Sequence, residues 1–99
     1  MRDSIEQFLL IKGFKVSKVR TRILASYIEK VIDNRDVTNG ERIIDMLAKD
    51  FNTNRNNITQ HLFQMKKYYE QVYGKTVLAP SDLAHMLAIE FMKFKGIIA

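Results

Sequence analysis

The chain has 99 residues, 46% of them hydrophobic and 27% charged, and a formal net charge of +5. That length suits one small domain built on a single hydrophobic core. Cysteine is absent, which excludes disulfides, thiolate metal sites and thiol catalysis and fits a reducing cytosol. The longest uninterrupted apolar run, Phe8 to Ile11, falls far short of the roughly 20 residues that a membrane-spanning helix needs. Met1-Arg2-Asp3 leads into amphipathic sequence rather than a secretory signal, so a cytoplasmic protein without a membrane partner is expected.

Apolar residues recur at helical spacing almost throughout, and no stretch beyond a few residues alternates with period two. The fold class predicted is all-α, a compact bundle of about five to six helices. A first helix, about Asp3 to Lys12, carries Ile5, Phe8, Leu9 and Ile11 and stops at Gly13, a good C-terminal cap. Ser17 is placed to cap a second, about Lys18 to Asn34, with Val19, Ile23, Tyr27 and Val31 on one stripe and Leu24, Ile28 and Ile32 beside it. After the polar break Asp33-Asn34-Arg35-Asp36, Thr38 and Glu41 have capping-box spacing for a third helix ending near Asp50, with Ile43, Met46 and Leu47 buried.

Asn54 is positioned to cap a fourth helix, about Arg55 to Val72, whose core stripe is Ile58, Leu62, Met65, Tyr69 and Val72. Residues Tyr73 to Ala79 read as an irregular connector. Pro80 then opens a last helix, capped by Ser81 or Ala79, with Leu83, Leu87, Phe91 and Phe94 as its apolar stripe and Gly96 as its end.

Residues 44–63, IDMLAKDFNTNRNNITQHLF, have the spacing of a helix-turn-helix, its two helices at about 41–50 and 55–72. The motif scaffold is Ala48, Asn52 and Ile58, in the pattern A-x3-N-x5-I. A side chain larger than Ala48 would hold the two helices apart. Position 52 wants a left-handed residue, for which Asn is the best choice after glycine, and Ile58 must reach back into the core.

With Ile58 and Leu62 turned inward, the fourth helix offers Arg55, Asn56, Thr59, Gln60 and Phe63 outward, and these are the candidate base-reading residues. Arg can bond guanine O6 and N7 together, Asn and Gln can pair bidentately with adenine, and a Thr methyl can touch the thymine methyl. Candidate contacts to the DNA backbone are Thr53, Asn54, Gln64, Lys66 and Lys67, together with Lys15, Lys18, Arg20 and Arg22 from the basic stretch before and within the second helix. Charge follows the same division. Residues 1–35 hold eight basic against four acidic residues and 55–75 four against one, whereas 36–54 hold two against four. A polyanion such as double-stranded DNA is the partner this implies, although many soluble domains carry as much charge simply as a solvated surface.

The segment LAKDFNTNRNNI, with SIEQFLLIKGFK, ILASYIEKVI and PSDLAHMLA around it, resembles the C-terminal DNA-binding effector domain of the master sporulation response regulator of spore-forming Firmicutes. The resemblance implies an all-helical domain of about six helices whose reading helix enters the major groove, often as tandem or swapped dimers. It covers Ala48, Phe51, Asn52, Thr53 and Ile58 as scaffold and Arg55, Asn56, Thr59 and Gln60 as readers. The family's reading helix is rich in Arg and Glu after the residue matching Ile58, where this chain has Thr59, Gln60, His61 and Phe63, so the target sequence does not carry over. No receiver domain is present in these residues; a free-standing regulator of a bacterium or mobile element fits, as does a fragment of a larger one.

An enzyme is not expected. His61 and His85 stand on different predicted helices with no carboxylate pair, nucleophile or Gly-rich phosphate loop to accompany them, and structural roles are the simpler reading for both. Asp45 and Asp50, or Asp33 and Asp36, are explained by capping and solvation, so no metal, cofactor or small-molecule substrate is expected. The rival reading is a helical protein-interaction module, with Phe63, Tyr68, Tyr73 and the Gly96-Ile97-Ile98 tail as its apolar contact surface. Pairing of two copies through Phe91, Phe94 and Ile97 of the last helix is expected on energetic grounds, because one short reading helix buries little DNA surface.

Overall fold

Among the described residues of the computed structural model, five α-helices follow one another: α1 (Arg2–Ile11), α2 (Lys18–Asp33), α3 (Gly40–Asp50), α4 (Arg55–Tyr73) and α5 (Pro80–Phe94). The structure describes residues 2–14, 18–33, 40–77 and 79–96, without the side chains of residues 2, 18, 40 and 41. Among the described residues there is no strand, and the chain is an all-α bundle in which α3 and α4 form the helix-turn-helix. The caps expected from Ser17 and from Thr38 with Glu41, the polar residues 34–36 and the tail 97–99 lie outside what is described.

The bundle is organised around α2. Six consecutive residues, Ile23 to Ile28, are buried. A helix without a solvent-facing side must be surrounded, and α2 packs against α1, α3, α4 and α5. Two polar groups are carried inward with it: Ser26 Oγ and the Tyr27 hydroxyl have no hydrogen-bond partner among the described residues. Burial, and then the nearby Asp82 carboxylate, push Tyr27 up to about 12, so its hydroxyl stays neutral.

Helix α1 buries Ile5, Phe8 and Leu9, and the Phe8 ring meets Phe91 of α5 edge-on at 5.5 Å. Its end is a Schellman turn. Gly13, at φ 97°, donates to the Leu10 carbonyl, and Phe14 donates to the Leu9 carbonyl at 2.9 Å while its ring packs into the core. Two tyrosines of α4 close over this turn, Tyr68 donating its hydroxyl to the Gly13 carbonyl and Tyr73 to the Lys12 carbonyl at 2.6 Å. Carbonyls left over at the end of α1 are thereby satisfied by the far half of α4.

The turn between α3 and α4 is built in the same way with a different residue. Asn52 is the only non-glycine residue at positive φ among those described, at 52°. Its N–H donates to the Lys49 carbonyl at 3.2 Å, and Thr53 N–H donates to the Ala48 carbonyl at 2.9 Å, the paired bonds of a Schellman motif. The chain then restarts as helix at once. Asn54 is extended and accepts the Asn57 N–H through its side chain at 2.8 Å, while Asn57 Nδ2 donates to Thr53 Oγ1 at 2.9 Å. Ala48 and Ile58 are both buried, as the scaffold spacing requires.

Helix α4 buries Ile58, Leu62, Met65 and Tyr69 and ends at Gly74, whose left-handed backbone lets its N–H return to the Glu70 carbonyl. The connector that follows is tied down by Val77 N–H donating to Glu70 Oε2 at 2.8 Å. Helix α5 starts from Ala79, not Ser81. The Asp82 carboxylate accepts the Ala79 N–H at 3.1 Å, and Leu83, Leu87 and Phe91 are buried.

Several residues expected in the core lie elsewhere. Val19 is 51% exposed and Val72 49%, each near the end of its helix. Ile11 breaks the i, i+3, i+4 spacing of Ile5, Phe8 and Leu9 and faces solvent, and Met46 is half-buried. Phe94 is mostly exposed although its ring contacts Phe8 at 5.5 Å.

Because Asn52 holds a left-handed backbone, Asn52→Ala is expected to lower stability by about 1 kcal/mol, with Asn52→Gly close to neutral. Chemical denaturation of the three proteins checks this. Equal stability of the Ala and Gly variants would show that the turn does not require that conformation.

Candidate nucleic-acid interface

The buried stripe of α4 determines what its opposite face offers. Successive residues turn by about 100°, so with Ile58 and Leu62 inward the side most nearly opposite carries Asn56, Gln60, Phe63 and Lys67. Arg55, Asn56, Thr59, Gln60 and Phe63 are all exposed, as are Gln64 and Lys67. Glu70 is the first acidic residue on the helix, so the first two turns present cationic, amide, hydroxyl and aromatic groups without a carboxylate.

The two flanks of α4 make polar contacts with neighbouring helices. On the α3 side, the Arg55 guanidinium pairs with the Asp45 carboxylate through Nη1, with both side chains still about half exposed. On the α2 side, Arg20 Nε donates to His61 Nδ1 at 3.3 Å. That bond fixes the neutral imidazole with its hydrogen on Nε2. Burial, and then the Arg20 charge, hold His61 below its usual 6.5. Beside this contact lies an open depression of about 340 Å³, with Arg20 at one edge, Asn57, Gln60, His61 and Gln64 along α4, and Thr59 and Phe63 completing it.

Phe63 has a cation on each side. The ammonium groups of Lys66 and Lys67 lie 5.4 Å and 4.9 Å from its ring centre. The two lysines differ in reach. Lys66 is only 14% exposed and is drawn toward Glu70 at 3.6 Å, whereas Lys67 is exposed. Among the remaining backbone candidates, Thr53 and Asn54 use their side-chain oxygens to cap α4 and sit at its start, and Arg22 is exposed. Lys15 and the side chain of Lys18 lie outside the described residues.

Three participants in this geometry were not assigned to the site from sequence. Asp45 pairs with the start of α4, His61 is held by Arg20, and Asn57 links the cap to the turn. Asp50 likewise pairs with Lys30 of α2 at 2.8 Å, so it and Asp45 are ion-pair partners rather than caps. Asn57 was legible as the third residue after a capping Asn. The two cross-helix contacts were not, because they depend on how α2, α3 and α4 cross.

Since His61 is held below its usual value, the unfolded chain takes up its proton more readily than the folded protein does. Its contribution to stability is complete above pH 6.5 and declines as the pH falls through that value toward the lower folded one. The fall in melting temperature between pH 7.5 and pH 5.5 is therefore expected to be smaller in His61→Gln than in the unsubstituted protein. Identical falls in the two proteins would remove His61 as a cause.

Compared with protein-family models, with curated proteins and with solved structures, the chain matches none of them.

Proposed function

We propose that this chain binds double-stranded DNA sequence-specifically by inserting α4 into the major groove, as a cytoplasmic transcriptional regulator related to the sporulation-regulator effector domain. One observation carries the reading. The exposed side of α4, set by the αL turn at Asn52 and the cap at Asn54, offers Arg55, Asn56, Thr59, Gln60 and Phe63 in its first turns with no carboxylate among them. The net charge of +5 and the resemblance of LAKDFNTNRNNI support it. Asn56, Gln60 and Phe63 are the most outward of the five. Arg55 and Thr59 stand toward α3, and Thr53, Asn54, Gln64, Lys67 and Arg22 are the backbone contacts around them.

The test is selection of bound sequences from a random duplex pool, followed by affinity measurements on the selected site. Gln60→Ala and Asn56→Ala are each expected to lose about 1 to 3 kcal/mol on that site and to relax preference at one position only. Lys67→Ala is expected to weaken all sequences alike. If no duplex is retained at low salt, the reading fails. The second reading, a protein-interaction module, then gains, because Phe63 and Tyr73 of its expected surface are exposed, as are Ile11, Val72 and Phe94; Tyr68, half-buried and bonded to Gly13, is not part of that surface.

Two copies on one site are part of the same proposal, since a single reading helix buries too little surface for strong specificity. Of the residues expected to pair, Phe94 at the end of α5 is exposed, while Phe91 belongs to the core and Ile97 lies outside the described residues. Sedimentation is expected to show two protein copies per selected duplex. A monomer at high concentration, with and without DNA, would remove the pairing.

A further inference from the structure

Resting on the DNA-binding reading above, we propose that Phe63 reads the C5-methyl group of a thymine, about three base pairs along the duplex from the base that Asn56 reads. The exposed side of α4 carries its chemistry in a row. Asn56, Gln60, Phe63 and Lys67 lie within about 60° of one another around the helix, all exposed, on the side away from the buried Ile58, Leu62 and Met65. Three of the four can form hydrogen bonds. Phe63 cannot, and at 42% exposed it is, among the described residues, the only large apolar side chain of α4 exposed before Val72. The ammonium groups of Lys66 and Lys67, 5.4 Å and 4.9 Å from its ring centre, favour keeping the ring on this polar surface and set positive charge beside it, which suits a polyanion.

The edges of the base pairs decide what such a ring can distinguish. In the major groove the reading groups are hydrogen-bond donors and acceptors, namely N7 and O6 of guanine, N4 of cytosine, N7 and N6 of adenine and O4 of thymine, with one exception. The exception is the thymine C5-methyl. Against a phenyl ring the polar groups lose water without gaining a hydrogen bond, whereas the methyl is itself apolar and gains by leaving water. An exposed phenylalanine in this row can therefore prefer only thymine.

Position along the helix sets where that thymine stands. Seven residues at about 1.5 Å each carry Phe63 about 10 Å beyond Asn56. Base pairs follow one another at about 3.4 Å, so the two contacts are about three base pairs apart. Thr59 can also touch a thymine methyl, but it lies one turn nearer the start of α4 and would meet a different base pair.

Replacing thymine by uracil removes the methyl and leaves the pairing and the O4 acceptor. In the site selected from random duplexes each thymine, on either strand, is replaced in turn, and affinity is measured for the unsubstituted protein, Phe63→Ala and Phe63→Leu, with circular dichroism melting to confirm that each folds. Uracil about three base pairs from the position whose preference Asn56→Ala relaxes is expected to weaken the unsubstituted protein about fourfold, the fold-change to which one buried CH2 group corresponds. Phe63→Ala is expected to bind the thymine and uracil duplexes equally, and Phe63→Leu, which keeps an apolar side chain, to retain part of the difference. The methyl contact is overturned if Asn56→Ala relaxes no position, if no thymine stands at that spacing, or if the uracil effect there is absent or survives in Phe63→Ala; in each case the selected site still upholds the DNA reading. If no duplex is retained at low salt, the DNA reading fails and the methyl contact with it.

Discussion

Between Ile23 and Ile28 the second helix has no residue that can face water, and the arrangement of the other four helices follows from that constraint. A stripe of three or four apolar residues can be covered by one neighbour, but a full circumference needs several, and α1, α3, α4 and α5 all contribute. Enclosure also places Ser26 and Tyr27 where their hydroxyls have no partner among the described residues, each an expense of about 1–3 kcal/mol against the burial of the surrounding side chains. Large apolar neighbours make up for it. Ile23, Leu24 and Ile28 are each essentially fully buried, at about 1.5–3 kcal/mol apiece.

With α2 at the centre, the rotation of α4 is no longer open. Ile58, Leu62, Met65 and Tyr69 must point into the bundle, and the amide-rich side must therefore point out. The Asn52 turn fixes where α4 begins relative to α3, while Tyr68 and Tyr73 hold its other end against the last turn of α1. Held at both ends and along its length, α4 presents a surface of fixed orientation. The base reading proposed for α4 would need this, because base contacts tolerate little error in angle.

The helices, their order and their ends were largely legible in the sequence, because capping chemistry is local. Gly13, Asn52, Asn54 and Gly74 each mark a boundary by their own conformational or hydrogen-bonding preference. Burial was legible only where a stripe lay in the middle of a helix. Val19 and Val72 keep the period yet are about half exposed near the ends of their helices, and a period carries no information about how fully a neighbour covers it. His61 and Leu62 show the same limit in the other direction. Leu62 takes the core position, as its place in the stripe with Ile58 and Met65 requires, and His61 is left at the α2 boundary with a partner 41 residues away in sequence. Contacts of that kind, Asp45 with Arg55 among them, arise from the crossing of helices and leave no trace in spacing.

On the proposed DNA-binding reading, the Asp45–Arg55 pair raises the question of whether α3 withholds Arg55 from a base. Magnitudes decide it. Both side chains are about half exposed, and an exposed ion pair contributes about 0–1 kcal/mol, less as salt rises. A bidentate guanidinium contact to guanine is worth about 1–3 kcal/mol. The Asp45 contact by itself would therefore be too weak to hold Arg55 back from a correctly placed base, yet it is strong enough to bias the side chain among its many rotamers. On the proposed DNA-binding reading, Asp45 would also place a negative charge beside the approaching phosphates and disfavour registers that bring the backbone closer to α3. On the proposed reading, the α3 flank would select by repulsion as well as by attraction.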